Sequence, residues 1–269
     1  MSTRGSWRPD ITSILGIVLA AGGIVGGLIL EKGNIRDIAQ YTAALIVLGG
    51  TGGALLVSTP MHNLISALAH LRVVFFERSL RPSAVIDQLI VFATKARKQG
   101  IVSLENDAMQ VADPFMRKAL NLAVDGTDLE ELRSIMELEI DLHEAYSEEA
   151  AKVFDAGGGY APTIGIIGAV LGLIQVMKNL TNIAEVGHGI AVAFVATIYG
   201  VALANVFLLP AGSKIRGRAA LDRRLRELVL AGVISILEGS NPKMIRNKLE
   251  AYVGESAAAS APENSRQAA

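Results

Sequence analysis

Four long apolar stretches dominate the pattern of hydrophobic and polar positions along the chain. They cover residues 11–30, 38–58, 156–177 and 186–213, and none of them contains Asp, Glu, Lys or Arg. A helix needs about 20 apolar residues to cross the hydrocarbon core of a bilayer. Four such helices would be hard to bury on every side in a chain of 269 residues. The pattern therefore predicts an all-α membrane protein with four transmembrane helices, the fourth over about residues 188–210.

The first stretch also has features of a cleaved signal peptide. Arg4 and Arg8 precede it, and the small residues Ala20 and Ala21 lie within it. The apolar run nevertheless continues to residue 30, which is too long for the apolar region of a cleaved signal. We therefore interpret it as the first membrane span.

The positions of Lys and Arg predict how the chain crosses the membrane. The connections between the first and second spans and between the third and fourth hold two and one basic residues. The segment 59–155 and the tail after residue 213 hold ten each. Basic residues concentrate on the cytoplasmic side, so both termini and the large insert are expected there.

This topology divides the chain into five parts. We predict an N-terminal transmembrane hairpin over 1–58 and a cytoplasmic helical domain over 59–155. A core transmembrane hairpin follows over 156–210, and then a cytoplasmic helical tail over 211–253. The Ala- and Ser-rich end, 254–269, is expected to be disordered.

Local signals predict several helix boundaries in the polar segments. Ser83, next to Pro82, is a candidate N-cap, and Gly100 is a plausible stop for the same helix. An acidic helix is predicted over 128–149. In the tail, Asn241 before Pro242 is typical of a cap followed by the first helical residue.

Composition and motifs exclude several classes of function. The chain is 51% hydrophobic and 19% charged, has no cysteine and carries a net charge of −1. Disulfides and thiol chemistry are therefore impossible, and the net charge gives no reason to expect a nucleic-acid partner. There is no phosphate-binding loop, no histidine pair at metal-ligand spacing and no supported catalytic triad. We expect no enzyme activity, no cofactor and no metal site.

The spans are informative because of what they lack. Carboxylates inside a membrane usually mark proton relays, and these spans have none. Either the protein moves no protons, or another chain supplies the acid. Glycines four residues apart favour a tightly packed assembly; the pairs are Gly22 with Gly26, Gly23 with Gly27, Gly49 with Gly53, and Gly168 with Gly172.

The third and fourth spans carry Pro162, Thr163, Thr197 and Pro210. A proline frees a helix carbonyl, and a threonine hydroxyl can bond to its own helix or solvate an ion or water. These residues fit a kinked helix with satisfied hydroxyls, and they also fit a lined pore. The residues alone leave both interpretations open.

The core hairpin also resembles a known family. Residues 153–210 read VFDAGGGYAPTIGIIGAVLGLIQVMKNLTNIAEVGHGIAVAFVATIYGVALANVFLLP. They look like the third and fourth spans of flagellar motor stator A-subunits (MotA/PomA), within the wider MotA/TolQ/ExbB proton channel group. The likeness continues in ARKQGIVSLE at 96–105 and in EGSNPKMIRNKLEAY at 238–252.

The resemblance implies a protein of the bacterial inner membrane that works as a homo-oligomeric ring surrounded by lipid. The ring would surround a MotB-like B-subunit whose membrane aspartate carries the ion, and ion flow would turn it against the rotor switch protein FliG. Pro162 and Pro210 match the family's coupling prolines, with Thr163 beside the first of them. Thr197 matches a threonine that faces the ion path. Ala169 stands where sodium-driven members carry threonine, which favours protons because sodium needs oxygen ligands.

Further matches concern contact with the rotor. Arg97 and Glu105 match a charged pair that contacts the rotor protein, and Lys98 is a candidate third member. Some relatives carry further acids just after the matched glutamate, whereas this chain has Asn106 and Ala108.

Two alternatives remain at this point: an ExbB/TolQ-like energiser of outer-membrane processes, and a membrane scaffold that conducts nothing. ExbB/TolQ-like proteins have three spans, so the four spans of this chain argue against the first alternative. The polar residues of the core hairpin argue mildly against the second.

Overall fold

The computed structural model describes residues 7–78 and 82–260. Helices make up nearly all of it. The elements in chain order are β1 (Trp7–Pro9), α1 (Ile11–Leu30), α2 (Ile35–Ile38), α3 (Tyr41–Ser58), α4 (Met61–Phe75), β2 (Phe76–Arg78), α5 (Pro82–Gln99), a 3-10 turn (Ile101–Leu104), α6 (Glu105–Gln110), α7 (Pro114–Val124), α8 (Leu129–Lys178), α9 (Ile183–Ala202), a π-helical segment (Leu203–Leu208), α10 (Leu209–Leu237) and α11 (Pro242–Ser260). The short strands β1 and β2 pair with each other, so the described fold is not entirely helical.

Among the described residues, four helical stretches are long and apolar enough to cross a membrane, which confirms the predicted number of spans. The first matches its predicted bounds, because Asp10 caps α1 and its carboxylate accepts the backbone N–H of Ser13 at 3.1 Å. The second begins at Tyr41 rather than residue 38, since Gln40 has an extended backbone that separates α2 from α3.

The third span belongs to a longer helix than the sequence pattern indicated. We predicted an acidic helix over 128–149 and a separate span from residue 156, but α8 runs through both without a break. Residues 150–155 contain no helix-breaking residue, and Ala150 and Ala151 are fully buried. Pro162 lies inside α8 without ending it.

The chain forms two compact units. The first, here called the membrane unit, comprises residues 8–77 and 146–218 and contains the four apolar stretches. The second, here called the polar unit, comprises residues 78–145 and the chain from 219 onward, together with Trp7.

The polar unit has its own hydrophobic core. The fully buried side chains come from six helices and the 3-10 turn, and each buried leucine contributes about 2 kcal/mol; the largest are Leu89, Leu104, Met116, Leu120, Leu132, Met136, Leu228, Val233, Ile245 and Leu249. Helix α7, in the middle of this core, was not predicted. Its start has a recognisable cap, because the carboxylate of Asp113 accepts the N–H of Met116 at 2.9 Å and Pro114 follows as the first helical residue.

Two of the predicted helix boundaries are confirmed. Gly100 ends α5 with a φ of +83°, a left-handed conformation that favours glycine. Asn241 caps α11 by accepting the N–H of Lys243 at 3.0 Å. Ser83 does not cap α5, because that helix already begins at Pro82. Helix α11 extends to Ser260, whereas disorder was expected from residue 254; residues 261–269 lie outside the described part of the chain.

Candidate functional site

Helices α8 and α9 pack so closely that their backbones touch. A Cβ atom added to Gly165 would lie 2.8 Å from the carbonyl oxygen of Ala196 and 3.3 Å from Cα of Thr197. One added to Gly200 would collide with the carbonyl oxygen of Ala161. Because only glycine permits such an approach, these residues fix the spacing of the third and fourth spans.

The predicted glycine pairs divide into two groups. Gly168 and Gly172 lie in this helix contact, since an added Cβ would come within 3 Å of α9 atoms at either position. At the other six, an added Cβ would meet nothing within 4 Å in the described structure; they are Gly22, Gly23, Gly26, Gly27, Gly49 and Gly53. Their small surfaces are open to molecules outside the chain.

The two threonines of the core hairpin both use their proton within their own helix. Thr163 donates to the carbonyl of Tyr160 at 2.8 Å, and Thr197 donates to the carbonyl of Ala193 at 3.2 Å. Each hydroxyl oxygen therefore keeps its lone pairs as acceptors for water or a protonated group. Thr163 is exposed, and Thr197 is half-buried between the helices.

The fourth span contains a π-helical segment directly before Pro210. The N–H of Leu209 donates to the carbonyl of Ala204, five residues back, and Pro210 has no N–H to donate. The carbonyl of Asn205 therefore loses both of its helical donors. Segments of this kind frequently occur at functional positions, because the helix can change its winding there.

The structure places the remaining ion-path candidates on these same elements. Pro162 and Ala169 are half-buried and lie seven residues apart on α8, which puts them on one face. Pro210 is exposed, and its neighbour Leu209 packs on Gly158, where an added Cβ would lie 2.5 Å from Leu209 Cδ2.

A second cluster lies at the corner between α5 and α6. Arg97 and Lys98 are in the last turn of α5, Glu105 begins α6, and all three are exposed. Lys95 and Asp107 form an ion pair of 2.6 Å beside them. In the described part of the chain no ion pair involves the three candidates, so their charges are available to a partner.

The sequence analysis missed a charged cluster at the start of α1. Asp10 is only 5% exposed, and its carboxylate contacts Lys214 Nζ at 2.5 Å and the guanidinium of Arg218. Burial alone would raise the pKa of Asp10. Hydrogen bonds from Lys214, Thr12, the Ser13 N–H and Arg218 outweigh burial and hold that pKa well below its usual range. An aspartate directly before an apolar helix was the available signal, since it is a typical N-cap.

The part of the chain that the structure describes offers no metal-binding cluster. Within residues 7–78 and 82–260, no three His, Asp or Glu side chains come close enough to hold a metal ion. The membrane unit offers uncharged apolar stretches, neutral hydroxyls and an interrupted helix. The polar unit, taken by itself, offers exposed charges at the corner between α5 and α6. These features define a class: helical multi-pass membrane proteins in which the polar residues within the apolar stretches are neutral.

Comparison with known proteins gives the family. Residues 107–228 match the MotA/TolQ/ExbB proton channel family, and residues 14–100 match the motility protein A N-terminal model. Motility protein A of Bacillus subtilis is 35% identical over 245 residues, covering 91% of each chain.

Two solved structures share the fold over nearly its whole length. A subunit of the C. jejuni MotAB structure superposes with a TM-score of 0.86 at 32% identity, covering 90% of this chain and 95% of that one. The flagellar MotAB stator complex from Bacillus subtilis gives 0.84 at 36% identity, covering 89% and 94%. The chain therefore belongs to the MotA/TolQ/ExbB family as a MotA-type A-subunit of the flagellar stator. It is a multi-pass protein of the bacterial inner membrane and a subunit of the ion channel that drives flagellar rotation.

Proposed function

We propose that this A-subunit moves protons with the help of an acid supplied by a MotB-like B-subunit. The observation that carries the proposal is that the apolar stretches 11–30, 38–58, 156–177 and 186–213 lack Asp, Glu, Lys and Arg. Helix α9 does carry Glu185, but only in its first turn, before the apolar stretch begins. A proton path through a membrane needs a group that binds and releases the proton. The solved relatives are MotAB complexes, which supports a B-subunit as the source of that group.

The core hairpin supplies the other parts of the path. The hydroxyls of Thr163 and Thr197 accept hydrogen bonds from water or from the protonated acid. Pro162 and Pro210 let the helices change shape when the acid changes its charge. The π-helical segment before Pro210 supports this role, because it already departs from regular α-helical hydrogen bonding.

The side chain at position 169 supports protons rather than sodium ions as the coupling ion. Ala169 has a methyl group there, and sodium needs oxygen ligands to replace its hydration shell. Cells that depend on this subunit should swim at normal speed in sodium-free buffer with an intact proton gradient, and added sodium should not change that speed. Immobility without sodium would refute proton coupling.

Torque passes to the rotor through the corner between α5 and α6. Arg97, Lys98 and Glu105 are exposed there and free of ion pairs within the described residues, which suits them to brief contacts with FliG. Complementary surface charges raise encounter rates more than they raise affinity. A rotor that moves past the stator needs contacts of this kind.

The distribution of basic residues supports a cytoplasmic position for both termini, for the 59–155 insert and for the 211–253 tail. The glycines of α1 and α3 that are open to other molecules support packing with further copies in a ring within the lipid.

The subunit needs no cofactor and catalyses no chemical reaction. The match of residues 14–100 to motility protein A favours a motor over an ExbB/TolQ-like energiser.

A further inference from the structure

Thr51, in the membrane unit, is a buried threonine whose hydroxyl makes no hydrogen bond within the described structure. It lies in the middle of α3, on the face formed by Ala43 and Val47, and is 4% exposed. Its hydroxyl oxygen is buried and has no hydrogen-bond partner among the residues that the structure describes. Thr163 and Thr197, by contrast, bond back to their own helices. A buried hydroxyl without a partner is costly, so it needs a reason.

Contacts with α8 show which part of the fourth span lies beside Thr51. A Cβ added to Gly168 would lie 2.7 Å from Ala196 Cβ and 3.3 Å from Ile46 Cγ2, so Ile46 and Ala196 lie at one level. A Cβ added to Gly157 would lie 3.3 Å from a methyl of Leu55 and a methyl of Leu208.

Thr51 lies between these two levels on α3. The matching stretch of the fourth span runs from 196 to 208 and includes the start of the π-helical segment at Leu203. Leu203 also packs against the cluster that contains Val47, one turn before Thr51. Thr51, with its unpartnered hydroxyl, therefore lies at the level of the fourth span where helical hydrogen bonding is interrupted.

We propose that Thr51 is a positioning residue for the moving part of the fourth span. Its hydroxyl donates to a backbone carbonyl of residues 203–208 in a second conformation, which this segment adopts when its winding changes between π and α. The structure has the conformation in which the hydroxyl is unpartnered, so each change of winding makes or breaks one hydrogen bond. This inference rests on the proposed function, in which the fourth span moves as the ion binds and leaves.

Two substitutions at Thr51 distinguish the effect of losing the hydroxyl from the effect of changing the packing. Thr51→Val keeps the shape of the side chain and removes the hydroxyl, so it favours the conformation seen here. Thr51→Ser keeps the hydroxyl and removes a methyl group. Losing one buried hydrogen bond shifts an equilibrium between two states roughly three- to tenfold, so the stepping rate of the valine variant should fall by about that factor.

The experiment measures the rotation of small beads on flagella at low load, where the stepping rate limits speed. Stators labelled with a fluorescent protein are counted at each motor. Thr42→Val, at the start of the same helix, is the matched control. We expect motors with Thr51→Val to rotate roughly three to ten times more slowly at a normal stator count. Motors with Thr51→Ser or Thr42→Val should rotate at nearly the unsubstituted speed.

Equal speeds for Thr51→Val and the unsubstituted protein would overturn the proposal, and so would an equally slow Thr51→Ser. If Thr51→Val does not assemble, Thr51→Ala serves as the second variant without a hydroxyl, and normal speed in it would also overturn the proposal.

Pro210→Ala tests the proposed function separately. Loss of rotation in Pro210→Ala with normal rotation in Thr51→Val would refute only the role of Thr51, whereas normal rotation in Pro210→Ala would refute the coupling role of the proline.

Discussion

The ammonium group of Lys214 lies 2.5 Å from the carboxylate of Asp10. Asp10 caps the first span, and Lys214 belongs to α10, which continues the fourth span. Arg218 binds the same carboxylate one turn further along α10. The backbone N–H of Asp10 also donates to the carbonyl of Phe75 at the end of α4 at 2.8 Å. One buried acid therefore joins three helices at one end of the membrane unit.

Replacing Asp10 with Asn should destabilise the membrane unit by about 3 kcal/mol, because two cations would lose their buried counter-charge. Asparagine can still cap α1 through its oxygen, so the substitution keeps the cap and removes the carboxylate oxygen that the two cations bind. Thermal unfolding of the purified complex in detergent measures the effect. Asp87→Asn is the control, since Asp87 is 64% exposed in its pair with Arg246 and should change stability by less than about 1 kcal/mol. Equal effects of both substitutions would contradict this account.

The same cluster predicts a dependence on pH. The pKa of Asp10 is held below its ordinary value of 3.8, so the folded state favours the ionised carboxylate. Its contribution to stability should be fully present above the ordinary pKa and be lost as the pH falls through the folded pKa. The difference in unfolding temperature between the unsubstituted protein and Asp10→Asn should therefore narrow on acidification from neutral pH. A constant difference would show that the carboxylate is not the cause.

The contact between the third and fourth spans gives a prediction about packing. Gly200→Ala should prevent the close approach of α9 to Ala161 and destabilise the core hairpin by about 1–3 kcal/mol. Gly217→Ala is the matched control, because an added Cβ there meets nothing within 4 Å of the described structure. Resistance to proteolysis in detergent should fall only for Gly200→Ala. Unchanged resistance in both variants would contradict the glycine contact.

The rotor-contact proposal predicts the effect of reversing a charge. Arg97→Glu should impair swimming while stators still assemble at the motor, because in the proposed function this charge contacts the rotor, and no residue in the described fold forms an ion pair with it. A compensating charge change on FliG should partly restore swimming. Lys243→Glu, an exposed lysine at the start of α11, should have little effect. Normal swimming in Arg97→Glu would leave this arginine as ordinary surface charge.

The absence of natural cysteines allows a direct test of topology. Asn34→Cys, between the first two spans, should react with a thiol reagent that cannot cross the inner membrane. Glu130→Cys, exposed at the start of α8, should react only after the membrane is opened. The reverse pattern would refute the cytoplasmic position of the insert.

The number of spans followed from the sequence, because an uncharged stretch of membrane length has few other structures available. The bounds of α1 followed for the same reason. The continuity of α8 did not, since the transition from charged to apolar residues near position 156 looks like a boundary although helical propensity continues across it. The ion pairs of Asp10 and the contact of Gly200 with Ala161 join residues far apart in the chain. No local pattern shows which distant residue will be adjacent.

In the proposed function, the proton is carried across the membrane by an acid of a partner chain, because the apolar stretches of this subunit contain none. The most direct test expresses the chain in a motile bacterium that lacks its own stators, alone or with its B-subunit, and measures swimming. We predict swimming only when both are present, and its loss when the B-subunit's membrane aspartate is replaced with asparagine. Swimming driven by this chain alone, or unchanged swimming after that replacement, would contradict the account.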